Sequence, residues 1–229
     1  MSRIAHNLAN ITQRVQQAAS ECGRNWEEIQ LLAVSKTHSV DDIRAAYEAG
    51  IRCFGESYLQ EALPKISALQ DLPLEWHYIG PIQSNKTRAI AEHFDWVHSI
   101  DRFKVALRLS EQRPANLTPL NICIQVNISQ ETGKSGIIKE ALRDFAQQLV
   151  GLPRLQLRGL MAIPQKTDNQ HQQRAVFAQL RGLLDDLNQQ GFQLDTLSMG
   201  MSNDFEAAIL EGATIVRIGT GIFGPRNVK

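Results

Sequence analysis

The sequence predicts a closed (β/α)8 barrel, an α/β TIM-barrel fold, with one additional helix at its N-terminus. Eight short apolar or β-branched segments recur along the chain, and helical stretches lie between them. The 229 residues suit eight such units in one barrel, a fold that commonly runs to ~250 residues. An open doubly wound sheet is the alternative. No Pro/Gly/Ser-rich linker, low-complexity tract or composition shift divides the chain, so residues 1–229 read as a single domain. The Pro114–Pro119 segment reads as an ordinary connection.

The first helix is marked by Ile4, Leu8, Ile11 and Val15, spaced by three or four to form one apolar stripe. Gly23 supplies its C-terminal cap. The strands centre on Ile29–Val34, Arg52–Phe54, Trp76–Ile79, Trp96–Ser99, Leu120–Val126, Leu155–Met161, Thr196–Met199 and Thr214–Ile218. Among the intervening helices the clearest spans about 170–190. There Val176, Phe177, Leu180, Leu183, Leu184 and Leu187 form one apolar face.

Composition excludes several function classes. Hydrophobic residues are 43% and charged residues 21%, enough to bury a sizeable core. Twenty-four basic residues balance twenty-four acidic ones without a charged block, which argues against a nucleic-acid partner or a polybasic membrane anchor. No apolar run reaches the ~20 residues of a membrane span, and the N-terminus has no signal-peptide apolar region. Cys22, Cys53 and Cys123 form no C-x-x-C pair, so no disulfide framework or structural zinc is expected, and a reducing cytoplasm is the default. A monomer is expected.

In a parallel barrel the chemistry sits at the C-terminal ends of the strands. Alternation after the first strand puts Lys36 on the face of Leu32 and Val34. If that face lines the barrel, desolvation favours the neutral amine that imine formation needs; the alternative is a solvated lysine that merely ends a strand. In the last strand Arg217 and Ile215 oppose Val216 and Ile218. A buried arginine is costly unless paired, so an inward Arg217 asks for a carboxylate, a phosphate or a ring nitrogen. The following Gly219-Thr220-Gly221 leaves backbone N–H groups open, as a phosphate cup requires, or forms a purely structural turn. Ser202 precedes a helical stretch and reads as its N-cap, a role compatible with holding phosphate.

Other residues carry less. Gly133-Lys134-Ser135 imitates the end of a P-loop, but Ile128 stands where the first glycine is needed, so an ATP site is rejected. His77 and Asn127 could line the mouth, although His77 reads more simply as a satisfied core residue. His93 and His98 read as a helix end and a strand start. No histidine spacing suggests a metal, and no G-x-S-x-G elbow suggests a serine hydrolase. Glu56 could present a carboxylate to the mouth, or sit in a turn feeding the next helix.

Six ordered motifs then carry a resemblance across essentially the whole chain. They are LLAVSKT around Lys36, FGESY at Phe54–Tyr58, WHYIGPIQSNK at Trp76–Lys86, RGLMAI at Arg158–Ile163, SMGMSND at Ser198–Asp204 and RIGTGIFG at Arg217–Gly224. Together they resemble the YggS family, the pyridoxal 5′-phosphate (PLP) homeostasis proteins, whose fold is like the N-terminal barrel of alanine racemase. The resemblance implies that Lys36 forms the internal aldimine with PLP. It further implies that Arg217 faces the pyridine nitrogen, and that Ser202 with the backbone of Gly219 and Thr220 holds the phosphate. Ser57 departs from the asparagine usual in the family, though serine too can cap the next helix.

An arginine at the pyridine nitrogen disfavours ring protonation and so weakens carbanion stabilisation. Alanine racemase compensates with a second base delivered by a further domain, for which this chain leaves no room. His77, Tyr58 and Glu56 are the candidate mouth acids, and no sequence rule sets any of them opposite Lys36. The expectation is therefore a carrier or buffer of PLP with little turnover, handing the cofactor to acceptor apoenzymes. The alternatives are a PLP-dependent racemase-like enzyme and a cofactor-free Schiff-base aldolase.

Overall fold

The computed structural model describes residues 2–129, 131 and 133–225. Its strands are β1 (Gln30–Val34), β2 (Cys53–Glu56), β3 (Glu75–Tyr78), β4 (Trp96–Ile100), β5 (Leu120–Gln125), β6 (Leu155–Met161), β7 (Thr196–Met201) and β8 (Ile215–Ile218). All pair in parallel, in sequence order, and β8 pairs with β1 to close the barrel. Closure excludes the open sheet. Every strand centre expected from the sequence is occupied.

The helical layer consists of α1 (Arg3–Glu21), α2 (Val40–Glu48), α3 (Leu59–Ala68), α4 (Thr87–His93), α5 (Phe103–Gln112), α6 (Leu142–Val150), α7 (Gln170–Gln189), α8 (Phe205–Leu210) and α9 (Thr220–Phe223). Ser2 caps α1 by accepting from the Ala5 amide, and Gly23, at φ +68°, turns the chain after its end. Buried Ile4, Leu8, Ile11 and Val15 set α1 against α8 and α9. Arg3 Nη2 and Asn7 Nδ2 donate to the carbonyls of Phe223 and Ile222, so the extra helix fastens the last turn of the chain. Along α7, Phe177, Leu180, Leu184 and Leu187 are buried, while Val176 and Leu183 sit at the half-buried margin of the stripe. No helix among the described residues is long and apolar enough to cross a membrane.

Outward strand residues join the helices in one large core. The inward residues are mixed. Leu32, Trp96, Cys123, Met161 and Ile215 form a compact apolar cluster, with Cys53 and Ile79 against it. His77, His98, Ser198 and Arg217 are equally buried, so a polar group of side chains shares the barrel interior. The register sets Leu32 beside Arg217, which places Lys36 two inward positions further toward the mouth.

Of the glycines, Gly159 would have the closest neighbour to an added Cβ. A Cβ there would lie 1.8 Å from the Thr196 carbonyl oxygen on the neighbouring strand. Gly182, inside α7, has nothing within 4 Å of its missing Cβ. Gly159→Ala is expected to disrupt the β6–β7 pairing and lower the melting temperature sharply. Gly182→Ala is expected to stabilise by about 0.5–1 kcal/mol. Urea denaturation of both variants checks the pair, and equal effects would mean the β6–β7 contact is not as close as described.

Candidate functional site

At the C-terminal end of the barrel a cavity of about 310 Å³ opens between β1, β6, β7 and β8. It lies at the lower end of the ~300–1,000 Å³ range of small-molecule pockets. Five residues singled out from the sequence line it: Lys36, Ser202, Arg217, Gly219 and Thr220. Val34 and Ile79 supply an apolar floor, as alternation from Leu32 requires.

The end of β1 is held firmly. Thr37 has φ +67°, a left-handed backbone that a β-branched residue adopts only at a cost of ~1–3 kcal/mol. Its amide donates to Glu61 Oε2 at 2.9 Å, and the next side chain, His38, stacks on Phe223 with ring centroids 4.6 Å apart. Beneath this turn Lys65 Nζ donates to the Ser35 carbonyl at 2.9 Å and to Glu56 Oε1 at 2.8 Å. Ser35 Oγ also donates to Glu56 Oε1, at 2.6 Å.

That arrangement corrects the expectation for Glu56. The residue ends β2 with its side chain turned away from the mouth, fully buried against Lys65 of α3. Burial raises its pKa against the opposing pull of Lys65, and Oε2 has no hydrogen-bond partner. The capping expected of Ser57 is also absent. Tyr58 is the N-cap of α3 and makes no side-chain cap, while Ser57 lines the cavity. Tyr58 itself is half exposed and lies outside the cavity lining.

Ser202 is a second correction. The N-cap position of α8 belongs to Asp204, whose Oδ1 accepts from the Met201 amide at 2.6 Å. Ser202 instead reaches across to the β8–α9 turn. Its Oγ accepts from the Gly221 amide at 3.4 Å and lies 3.2 Å from Thr220 Oγ1. The first amides of a helix have no partner within it, so this turn joins a hydroxyl pair to open donors. Such a set suits an anion.

Arg217 points inward and is buried, as its place in β8 requires. No carboxylate lies within ion-pair distance among the described residues. The guanidinium donates to three neutral oxygens instead: Nη1 to the Ser198 carbonyl at 2.6 Å and to Ser198 Oγ at 2.8 Å, and Nη2 to the Ala162 carbonyl at 3.0 Å. Burial lowers its pKa to about 10, with Asp204 acting in the opposite sense, so it remains charged.

His77 lies below the mouth in the barrel interior and faces His98, with Nδ1 and Nε2 2.9 Å apart. His98 in turn lies 2.7 Å from Ser198 Oγ. The reading of His77 as a satisfied core residue holds. His98 was missed as a neighbour of Arg217, because only barrel closure brings β4 and β7 side chains together. Asn127 bonds to both the amide and the carbonyl of Glu131 and closes its own loop. Cys53, Glu75 and His77 have donor atoms within 4.8 Å of one another, a grouping invisible in their spacing, and they hydrogen-bond among themselves.

The fold and mouth define a parallel (β/α)8 barrel whose mouth brings a lysine, an arginine and the β8–α9 turn to one cavity. Residues 2–227 match the family model described as alanine racemase, N-terminal domain. A pyridoxal phosphate homeostasis protein of Pseudomonas aeruginosa is 60% identical over 227 residues, 99% of this chain and 97% of the relative. The protein of the same name in Escherichia coli K12 is 53% identical, with 99% and 98% covered. The solved structure of PipY from Synechococcus elongatus, with PLP bound, superposes with a TM-score of 0.83 at 41% identity, covering 96% of this chain and all of that one. Alanine racemase from Corynebacterium glutamicum shares the fold, with a TM-score of 0.70 at 17% identity; 99% of this chain spans 63% of it. The chain belongs to the alanine racemase N-terminal domain family, in the branch formed by the pyridoxal phosphate homeostasis proteins.

The buried Glu56–Lys65 pair yields a stability prediction. Lys65→Met leaves the carboxylate buried and uncompensated, and is expected to cost about 3–5 kcal/mol. Adding Glu56→Gln should restore much of that loss. Urea denaturation of the single and double variants at neutral pH measures both. A neutral Lys65→Met would show that the pair does not hold the end of β1.

Proposed function

We propose that this chain binds PLP at the barrel mouth and carries or buffers it, with little turnover of amino acids. One observation carries the reading: Lys36, Ser202, Arg217, Gly219 and Thr220 surround a single cavity of small-molecule size. When bound, PLP supplies an aldehyde that condenses with amines and a ring that withdraws electrons. The residues present fit such a group. Lys36 supplies the amine for covalent attachment. Ser202, with the backbone of Gly219 and Thr220, supplies hydrogen bonds to the phosphate. Arg217 offers only donors, so it faces an unprotonated ring nitrogen and leaves that ring a weak electron sink.

The same lining argues for carriage over catalysis. Among the described residues that line the cavity, the titratable side chains are Lys36, Lys166, Asp204 and Arg217. None of His77, Tyr58 or Glu56 is there. Asp204 is engaged with the Met201 amide, which leaves Lys166 as the group a racemase reading would have to use. The proposal extends to a monomer in a reducing cytoplasm, consistent with three free cysteines, that makes passing contact with acceptor apoenzymes.

Three measurements test it. Lys36→Ala should abolish the visible absorption band of the covalently held cofactor while the far-UV dichroism stays unchanged; a persisting band would move the attachment elsewhere. Ser202→Ala should weaken PLP binding roughly threefold to a hundredfold, from a lost bond of about 0.5–1.5 kcal/mol, or more to a charged group. Pyridoxal should bind far more weakly than PLP, and equal affinities would remove the anion site from this turn. Finally, Cα deuterium exchange of L-alanine with loaded protein should be slow and without inversion. Rapid inversion lost in both Lys36→Ala and Lys166→Ala would make the protein a racemase.

A further inference from the structure

Five side chains form an unbroken line from the floor of the barrel to its mouth. Glu75, at the start of β3, lies 2.7 Å from His77 Nε2. His77 Nδ1 lies 2.9 Å from His98 Nε2, and His98 Nδ1 lies 2.7 Å from Ser198 Oγ. Ser198 Oγ accepts from Arg217 Nη1 at 2.8 Å. His77, His98 and Ser198 have no solvent exposure. We propose that Glu75, His77, His98 and Ser198 act as positioning residues, a one-way hydrogen-bond relay that orients Arg217 and sets how strongly its guanidinium donates to the ring nitrogen above it. The final step rests on the PLP-binding reading; the relay itself does not.

The direction follows from the two ends. Arg217 has donors only, and an ionised Glu75 has acceptors only. Ser198 Oγ accepts from Arg217, so its own proton points to His98 Nδ1. His98 then carries its proton on Nε2 and donates to His77 Nδ1. His77 carries its proton on Nε2 and donates to Glu75. The reverse order would set a bare imidazole nitrogen against a carboxylate oxygen at 2.7 Å and leave the Ser198 hydroxyl without an acceptor.

A doubly protonated His77 is disfavoured by its surroundings. Burial lowers the pKa of His77 despite Glu75, and it lowers that of His98 well below the ordinary histidine value, aided by His77 and Arg217. The hydrogen bond from His77 holds Glu75 at about 2, so the carboxylate end persists at neutral pH. Gln30 Nε2 at 2.8 Å and the Cys53 thiol at 3.4 Å donate to the same Glu75 oxygen and fix it. Trp96 stacks on His77 at 5.5 Å with rings 3° from parallel, which holds the plane of the imidazole.

The relay gives the buried cation an anion at the far end of the lumen. Removing the charge of Glu75 while keeping its shape should make the two proton orders comparable and loosen the hold on Arg217. Ser198→Ala should cut the line next to Arg217.

Imidazole and guanidinium proton–nitrogen NMR on the full chain without PLP tests the relay directly. Wild type should show Nε2–H with bare Nδ1 for both His77 and His98. Glu75→Gln should mix the tautomers and shift the Arg217 N–H signals. A wild-type His98 protonated at Nδ1, or a Glu75→Gln spectrum unchanged at Arg217, overturns the proposal whether or not PLP binds. With PLP added, Glu75→Gln and Ser198→Ala should each weaken binding threefold to tenfold and move the visible band. Weaker binding with an unmoved band would reduce these residues to packing and sink the link to the ring nitrogen. A wild type that binds no PLP would end the functional reading, while the tautomers would still decide the relay.

Discussion

A guanidinium inside a closed barrel constrains everything around it. Arg217 projects inward because β8 alternates and because β8 pairs with β1. Taking such a charge out of water costs several kcal/mol unless polar groups replace the lost hydration. A barrel filled only with aliphatic layers could not hold it. The interior is accordingly divided: Leu32, Trp96, Cys123, Met161 and Ile215 pack as the apolar part, and Ser198, His98, His77 and Glu75 form a polar column beside them. Ser198 gives both its hydroxyl and its carbonyl to Arg217, so β7 and β8 are joined by side chain as well as by ladder.

The lysine at the mouth is set by a different device. Its strand ends in a left-handed threonine, a conformation that persists only where the surroundings over-determine it. Those surroundings come from two elements: α3, with Glu61 on the Thr37 amide and Lys65 on the Ser35 carbonyl, and α9, with Phe223 against His38. Because α1 in turn holds the carbonyls of Ile222 and Phe223, the added N-terminal helix helps to fix the strand end that carries Lys36. Strain and buried charge both concentrate within a few residues of the site, where orientation matters more than stability.

The sequence revealed what periodicity encodes and concealed what closure creates. Period two was enough to turn Lys36, Ile215 and Arg217 inward, and period 3.6 was enough to find α1 and α7. Local composition misled at Ser202, whose position before a helix suggested a cap. The chain instead spends Asp204 on that turn and sends Ser202 to Thr220 at the start of α9, eighteen residues away in sequence. Glu56 misled for a related reason. It follows the inward Gly55 and so faces the helices, where Lys65 awaits it; applying the alternation used for Lys36 to β2 would have shown this. His98 was beyond reach of any local rule. Its partners sit on β3 and β7, and its hundred-residue separation from Ser198 closes only with the barrel.

The choice of neutral partners for Arg217 bears on what the mouth is for. A carboxylate beside the guanidinium would have satisfied it more strongly, through a bidentate ion pair that adds opposite charge to the hydrogen bonds. It would also have withdrawn the cation from any ligand above. Three neutral acceptors and a remote anion satisfy the guanidinium without cancelling its charge at the mouth. All of those partners belong to the protein, so none is lost when a ligand leaves. A site that must release its cofactor needs that independence, because a buried cation relying on the ligand for its hydrogen bonds would oppose every release by the cost of stranding it. The wiring of Arg217 within the barrel therefore favours reversible holding over permanent capture, and it does so below the surface that the ligand touches.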